Sequence, residues 1–193
     1  MSKCERCEKT CRDNGMVTLS ESDGRHYETI CGDCYNVDMA DALGIENFKD
    51  FEPNLIQKDS DGIEHRFEIR KMIHETGVSW EAIEFLDDDE IGYSFEVHQD
   101  FNEASNQAVR QLNEKVKVGL CKKFIKKSLF SGQECLSFNG DTVEGKIQWD
   151  DNYDGRIPKF KIDGVDYTAE QVGHMLMAYE GWNFELIMKE PTD

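Results

Sequence analysis

The chain has 193 residues, 38% of them hydrophobic and 32% charged, with only three prolines. That composition excludes a disordered chain and suits one ordinary domain, or a small module plus one domain. The formal net charge of −18 repels a nucleic-acid backbone, so nonspecific nucleic-acid binding is not expected.

The charge is uneven. Residues 37–100 hold 18 acids against five bases, whereas residues 101–135 hold seven bases against three acids. No run approaches the roughly 18 apolar residues of a membrane span, and the polar start "SKCERCEKTCRD" does not read as a signal peptide. A cytoplasmic location without a membrane partner is the expectation. Seven cysteines in a reducing compartment point to metal binding rather than disulfides.

Cys4, Cys7, Cys31 and Cys34 form CxxC, 23 intervening residues and CxxC. One CxxC turn aims two sulfurs at one ion, and a second completes the thiolate tetrahedron of structural zinc. In the gap, "MVTLS" and "RHYETI" read as strands, with Asp23-Gly24 at the turn between them. A hairpin returns the chain to the end where the second knuckle must sit. Zinc is therefore expected as a structural cofactor on Cys4, Cys7, Cys31 and Cys34, holding a mini-domain too small for its own core. Four thiolates leave no open position for a substrate. Cys11 and His26 are the alternative ligands; beside a complete set they read as a spare thiol and a surface histidine.

Residues 1–36 resemble the zinc knuckles of bacterial protein-quality-control proteins, in which two CxxC pairs flank a β-hairpin. Examples are the N-terminal zinc module of the Clp unfoldase ATPase subunit and the modules of the McsA adaptor. The resemblance implies a role in protein–protein contact.

After the second knuckle, Val37, Met39, Ala40 and Leu43 predict a short helix ending near Gly44. Pro53 and "QKDSDG" read as connector and turn. This places a zinc-ribbon module at residues 1–45 and an α+β domain at residues 55–193, the latter divisible at about residue 130. In "GIEHRFEIRKMI", Ile63, His65, Phe67 and Ile69 alternate with Glu64, Arg66, Glu68 and Arg70, the pattern of a half-buried strand. "GVSWEAIEFL" and "IGYSFEVHQ" extend it into an antiparallel meander.

The period then changes. Val109, Leu112, Val116, Leu120 and Phe124 predict an amphipathic helix over roughly residues 102–127, with Gly119 as a bend or an end. Strands follow at "ECLSF", "TVEGKIQW" and "IPKFKID". "YTAEQVGHMLMAYEGW" reads as a helix capped by Thr168, with Gln171 in the capping-box position. Its buried stripe is Val172, Met175, Leu176 and Tyr179, and Gly181 stops it. "WNFELIM" reads as a final strand. The fold class is α+β: a zinc hairpin, then a mostly antiparallel sheet with two principal helices. The segments "HRFEIRKMIHETGVSWEAIEF" and "FKIDGVDYTAEQVGHMLMAYEGWNFEL" resemble uncharacterised bacterial proteins. That resemblance implies a recurring bacterial domain and adds no catalytic residue.

The acidic stretch "DDNYDG" starts like a calcium loop at Asp150, Asn152, Asp154 and Gly155, but Lys161 stands where the bidentate Glu is required, so it reads as a turn. The run Asp87–Glu90 reads as a solvated turn. Lys115, Lys117, Lys122, Lys123, Lys126 and Lys127 are expected to pair with the chain's own acids. Cys121 and Cys135 read as packed thiols. His65, Glu84 and His98 form the best candidate for an active site, without any HExxH, nucleophile elbow, P-loop or GxGxxG to support it.

The leading expectation is a non-enzymatic zinc-binding protein, an adaptor or regulator that contacts another protein. Met16, Val17, Leu19, Tyr27 and Ile30 are its candidate contact face. The alternatives are a nucleic-acid-binding protein using the zinc ribbon and the basic helix, and a metal-dependent hydrolase using His65, Glu84 and His98.

Overall fold

In the computed structural model, which describes residues 1–20, 27–46, 54–86, 90–130 and 132–192, every strand pairing is antiparallel. Together with three α-helices, this makes the chain α+β.

The N-terminal module holds the short pair β1 (Ser2–Lys3) and β2 (Thr10–Cys11), then the hairpin β3 (Met16–Ser20) and β4 (Tyr27–Cys31). Helix α1 (Gly32–Leu43) follows directly and ends at Gly44, whose φ of 67° is the left-handed C-cap that glycine favours. The predicted Asp23-Gly24 turn and His26 lie outside the described residues.

A four-stranded meander comes next, in the order β5 (Asn54–Lys58), β6 (Glu64–His74), β7 (Gly77–Phe85) and β8 (Ile91–Gln99). β5 takes in Gln57 and Lys58, which corrects the reading of all of "QKDSDG" as connector and turn. Phe67, Ile69 and Ile73 of β6 and Val78, Trp80 and Ala82 of β7 are buried, as their alternation requires. Onto that face packs α2 (Ser105–Cys121), whose Ala108, Leu112, Val116 and Leu120 are fully buried. The four-residue step keeps them on one stripe.

α2 is shorter than predicted. It stops at Cys121, and "IKKSLF" is strand β9 (Ile125–Phe130), paired with β10 (Gln133–Phe138). The Asp163 carboxylate accepts the backbone N–H groups of Phe124 and Ile125 at 2.8 and 2.7 Å, a tertiary cap that redirects the chain. Phe124 thus packs in a different core, with Ile162, Tyr167 and Met175. That second core lies under the sheet β11 (Lys146–Gln148), β12 (Lys159–Ile162) and β13 (Val165–Thr168), and under α3 (Ala169–Leu176). Thr168 and Gln171 form the predicted capping box, at 3.2 and 2.8 Å. Met175 is buried and Val172 packs beside it, but Leu176 is exposed. Residues 182–190 form no strand, which corrects the expectation for "WNFELIM".

The three parts dock through strand edges. β5 pairs with residues 64–68 of β6, so among the described residues the second half of β6 has no strand neighbour on that side. Asn36 of α1 fills the gap: its Nδ2 donates to Lys71 O at 2.8 Å and its Oδ1 accepts from Ile73 N at 2.9 Å. Ala40 of the same helix joins the meander's core. At the other edge, carbonyl oxygens of β8 accept from lysines: Ile91 O from Lys161 at 2.6 Å and Glu96 O from Lys115 at 3.1 Å. Lysines at a free edge discourage pairing with other chains.

Gly119 shows packing overriding propensity. A Cβ there would lie 2.3 Å from the Phe95 ring. Glycine costs a helix interior about 1 kcal/mol relative to alanine, whereas overpacking a core costs about 1–3 kcal/mol. Gly119→Ala should therefore destabilise the fold by about 1 kcal/mol net, read from urea unfolding. A stabilised variant would show that the Phe95 contact is slack.

Candidate metal centre

The sulfur atoms of Cys4, Cys7, Cys31 and Cys34 all lie within 4.8 Å of one another. Cys4 and Cys34 are 3.8 Å apart and Cys7 and Cys31 are 3.7 Å apart. A tetrahedron with Zn–S bonds of about 2.3 Å has edges of about 3.8 Å. The donor set thus has the size of a zinc–thiolate shell, and thiolates suit that ion.

Local structure builds this site. The first knuckle turns through Glu8 at φ 62° and closes with Cys4 N bonded to Lys9 O and Glu8 N to Cys4 O. In the second knuckle, Cys31 is the N-cap of α1 and Cys34 lies in its first turn, where the helix dipole favours negative charge. Arg6 ties the knuckles together, bonding Glu28 of β4 and Asp38 of α1 at 2.6 Å each.

The electrostatics also call for a cation. Backbone N–H groups of Cys7 and Cys31 point at the Cys4 sulfur, at 3.5 and 3.3 Å. The Cys7 bond chiefly lowers the Cys4 thiol to about 6. Burial pushes Cys34 up strongly, aided by the neighbouring thiols, and burial raises Cys31. All four could stand as thiolates, the form in which a thiol coordinates, only with a cation between them. Among the described residues no other cluster of His, Cys, Asp and Glu has metal-holding geometry. Cys11 packs beside the site without joining the four.

The proposed contact face is mostly the module's own interior. Ile30 is fully buried, and Met16, Val17 and Leu19 pack around Cys4 and Cys31. Tyr27 alone of the five is exposed.

The structure joins two of the three candidate active-site residues. His65 Nδ1 lies 2.6 Å from Glu84 Oε1. Glu84 follows Val78, Trp80 and Ala82 on the inward face of β7, beside the register shift at Ile83/Phe85, and its other oxygen accepts from Tyr93 N at 3.1 Å. Gly92 makes room, since a Cβ there would meet that carboxylate at 2.4 Å. His98 stands opposite Ser79, five residues from Glu84 along β7, or about 17 Å. Asp59 replaces it as third member, 3.5 Å from His65 Nε2. Sequence spacing hides this residue because it sits before the β5–β6 turn, where its Oδ1 accepts from Asp61 N and Ile63 N. Lys123 donates to Asp59 Oδ2 at 2.8 Å. The cluster is an ion-pair network joining the meander to the segment after α2.

Other candidates resolve into structure. Asp150 caps a 3-10 turn by accepting from Asn152 N at 3.0 Å. Lys122, Lys123 and Lys127 pair with Glu144, Asp59 and Glu134, and Lys117 lies 3.9 Å from Glu114. The basic helix of the nucleic-acid alternative is thus split between α2 and β9, and most of its charge is matched internally. Cys121 and Cys135 are exposed, not packed. Asp87–Asp89 lie outside the described residues. Among the described residues, no helix is long and apolar enough to cross a membrane.

Three family models match successive segments, each described as a domain of unknown function: DUF7685 over residues 3–46, DUF7686 over residues 49–121 and DUF7713 over residues 124–193. No curated protein and no solved structure matches the chain.

The Asp59–Lys123 pair carries a pH signature. The Lys123 ammonium holds the Asp59 carboxyl well below the usual carboxylate range. A depressed folded value stabilises the fold above the unfolded carboxylate pKa of about 3.9, and the gain is lost as pH falls further. Lys123→Met should lower the thermal midpoint at pH 7, with the deficit shrinking as pH falls below about 4. A deficit independent of pH would assign the loss to packing alone.

Proposed function

We propose that this chain is a zinc-stabilised binding protein, an adaptor or regulator that works through contact with another protein. The observation that carries this is the four-sulfur cluster, with edges of 3.7 and 3.8 Å that match a closed zinc–thiolate shell. A closed shell stabilises a fold and offers substrate no coordination position. The contact surface lies away from the zinc hairpin, whose apolar residues other than Tyr27 pack inward. Large exposed apolar side chains recur along residues 129–188, among them Leu129, Trp149, Trp182 and Phe184, and this is the stretch we assign to the contact.

The zinc part is tested by elemental analysis with hydrogen exchange. One zinc per chain is expected in the purified protein and none in Cys31→Ser. Chelation should erase protection over residues 3–46 while β7 and α2 stay protected. Zinc-free protein, or protection indifferent to chelator, contradicts the metal role. The contact part is tested by titrating each co-purifying protein against the loaded chain. Saturable, stoichiometric binding supports it, and the lack of any saturable binder contradicts it.

A further inference from the structure

Residues 182–188 read "WNFELIM", with Trp182, Phe184, Leu186 and Met188 alternating against Asn183 and Glu185. That is the pattern of a half-buried strand. Here the segment is non-helical and unpaired: among the described residues, nothing from 183 to 189 makes a backbone–backbone hydrogen bond. Its side chains are open as well, with Trp182 at 66%, Phe184 at 88%, Leu186 at 72% and Met188 at 63% exposure. Both ends are held. Trp182 meets Tyr179 edge-on at 5.3 Å, and Pro191 O accepts from Lys115 at 3.1 Å.

The same chain offers a place for such a strand. A cleft of about 420 Å³ is lined by Ile125, Lys126 and Lys127 of β9 and by Val165 and Tyr167 of β13. β9 and β13 each end their own sheet, so each has an edge without a strand partner, although Ile125 N is already bonded to Asp163 and Thr168 N to Gln171. The charge match is narrow: the cleft lining sets Lys123, Lys126 and Lys127 against Asp61 and Asp163, Lys123 and Lys127 already pair with Asp59 and Glu134, and residues 180–193 carry four acids and one lysine. Lys126 has no ion pair among the described residues.

We infer that two copies of this chain exchange C-terminal arms, residues 182–188 of each entering the β9–β13 cleft of the other as an added strand. Seven residues of strand span about 23 Å, comparable with the six-residue β9. The arm's open apolar side chains amount to roughly 600 Å². A reciprocal exchange buries each arm and each cleft, which reaches the roughly 800 Å² per partner of a stable interface. The exchange is isologous, so it closes at a dimer. It uses the backbone groups of an edge strand, as other strand-addition interfaces do. It does not depend on zinc.

Sedimentation velocity on the full chain tests this. The wild type should sediment at twice the 22.3 kDa chain mass. Phe184→Asp combined with Leu186→Asp should give a monomer with unchanged circular dichroism, because both side chains are exposed in the single chain, and a thermal midpoint that no longer rises with protein concentration as the wild type's should. Lys126→Glu should weaken the dimer about tenfold, and adding Glu185→Lys should restore it. Exchange protection of residues 182–188 should rise with concentration. A monomeric wild type, a dimer that survives the arm substitutions, or protection independent of concentration overturns the inference.

Discussion

The structure depends on four sulfur atoms converging from two knuckles. Their convergence forces the chain between Cys7 and Cys31 to go out and return, which a hairpin does at small entropic cost. It also fixes where α1 begins, since Cys31 caps that helix. Two residues past Cys34, Asn36 reaches the open half of β6, and Ala40 reaches the main core. The four-sulfur cluster at one end of α1 and the edge cap made by Asn36 thus fix the helix at two points. Among the described residues, the buried cluster around the sulfurs is only Cys4, Ile30 and Cys31, too little apolar burial to hold that orientation alone.

Edges are the second organising theme. The meander would present two open strands on a chain of net charge −18. On one side an asparagine amide caps β6 beyond its pairing with β5, and on the other two carbonyl oxygens of β8 accept from lysines of β12 and α2. The lysines therefore serve the fold. Four of the six flagged in the basic stretch meet carboxylates of this chain, and Lys115 bonds two carbonyl oxygens. The small sheets behave differently. β9 and β13 keep free edges around a cleft, and the arm beside them has strand chemistry without a strand partner.

Local signals were legible in the sequence. The paired CxxC knuckles, the capping box at Thr168 and the alternation of Phe67, Ile69 and their neighbours each depend on residues a few positions apart. What was not legible depends on distant partners. Leu120 and Phe124 keep helical spacing, yet Asp163, some forty residues on, caps Phe124 and Ile125 and ends the helix early. The strand β5 is short and follows a proline, so composition reads its end, Gln57 and Lys58, as connector. His98 shares a sheet with His65, but the register sends it to the other end of β7. Asp59, the true neighbour of His65, enters through a turn that no spacing rule anticipates. Cys121 and Cys135 show the limit of reading burial from residue type alone, for both are exposed.

The account rests on a closed sulfur shell around zinc. X-ray absorption at the zinc edge of the purified full chain tests it most directly. Four sulfur neighbours at about 2.3 Å and no nitrogen or oxygen in the shell are predicted. A shell containing nitrogen or oxygen would contradict it, by showing an open or differently built site.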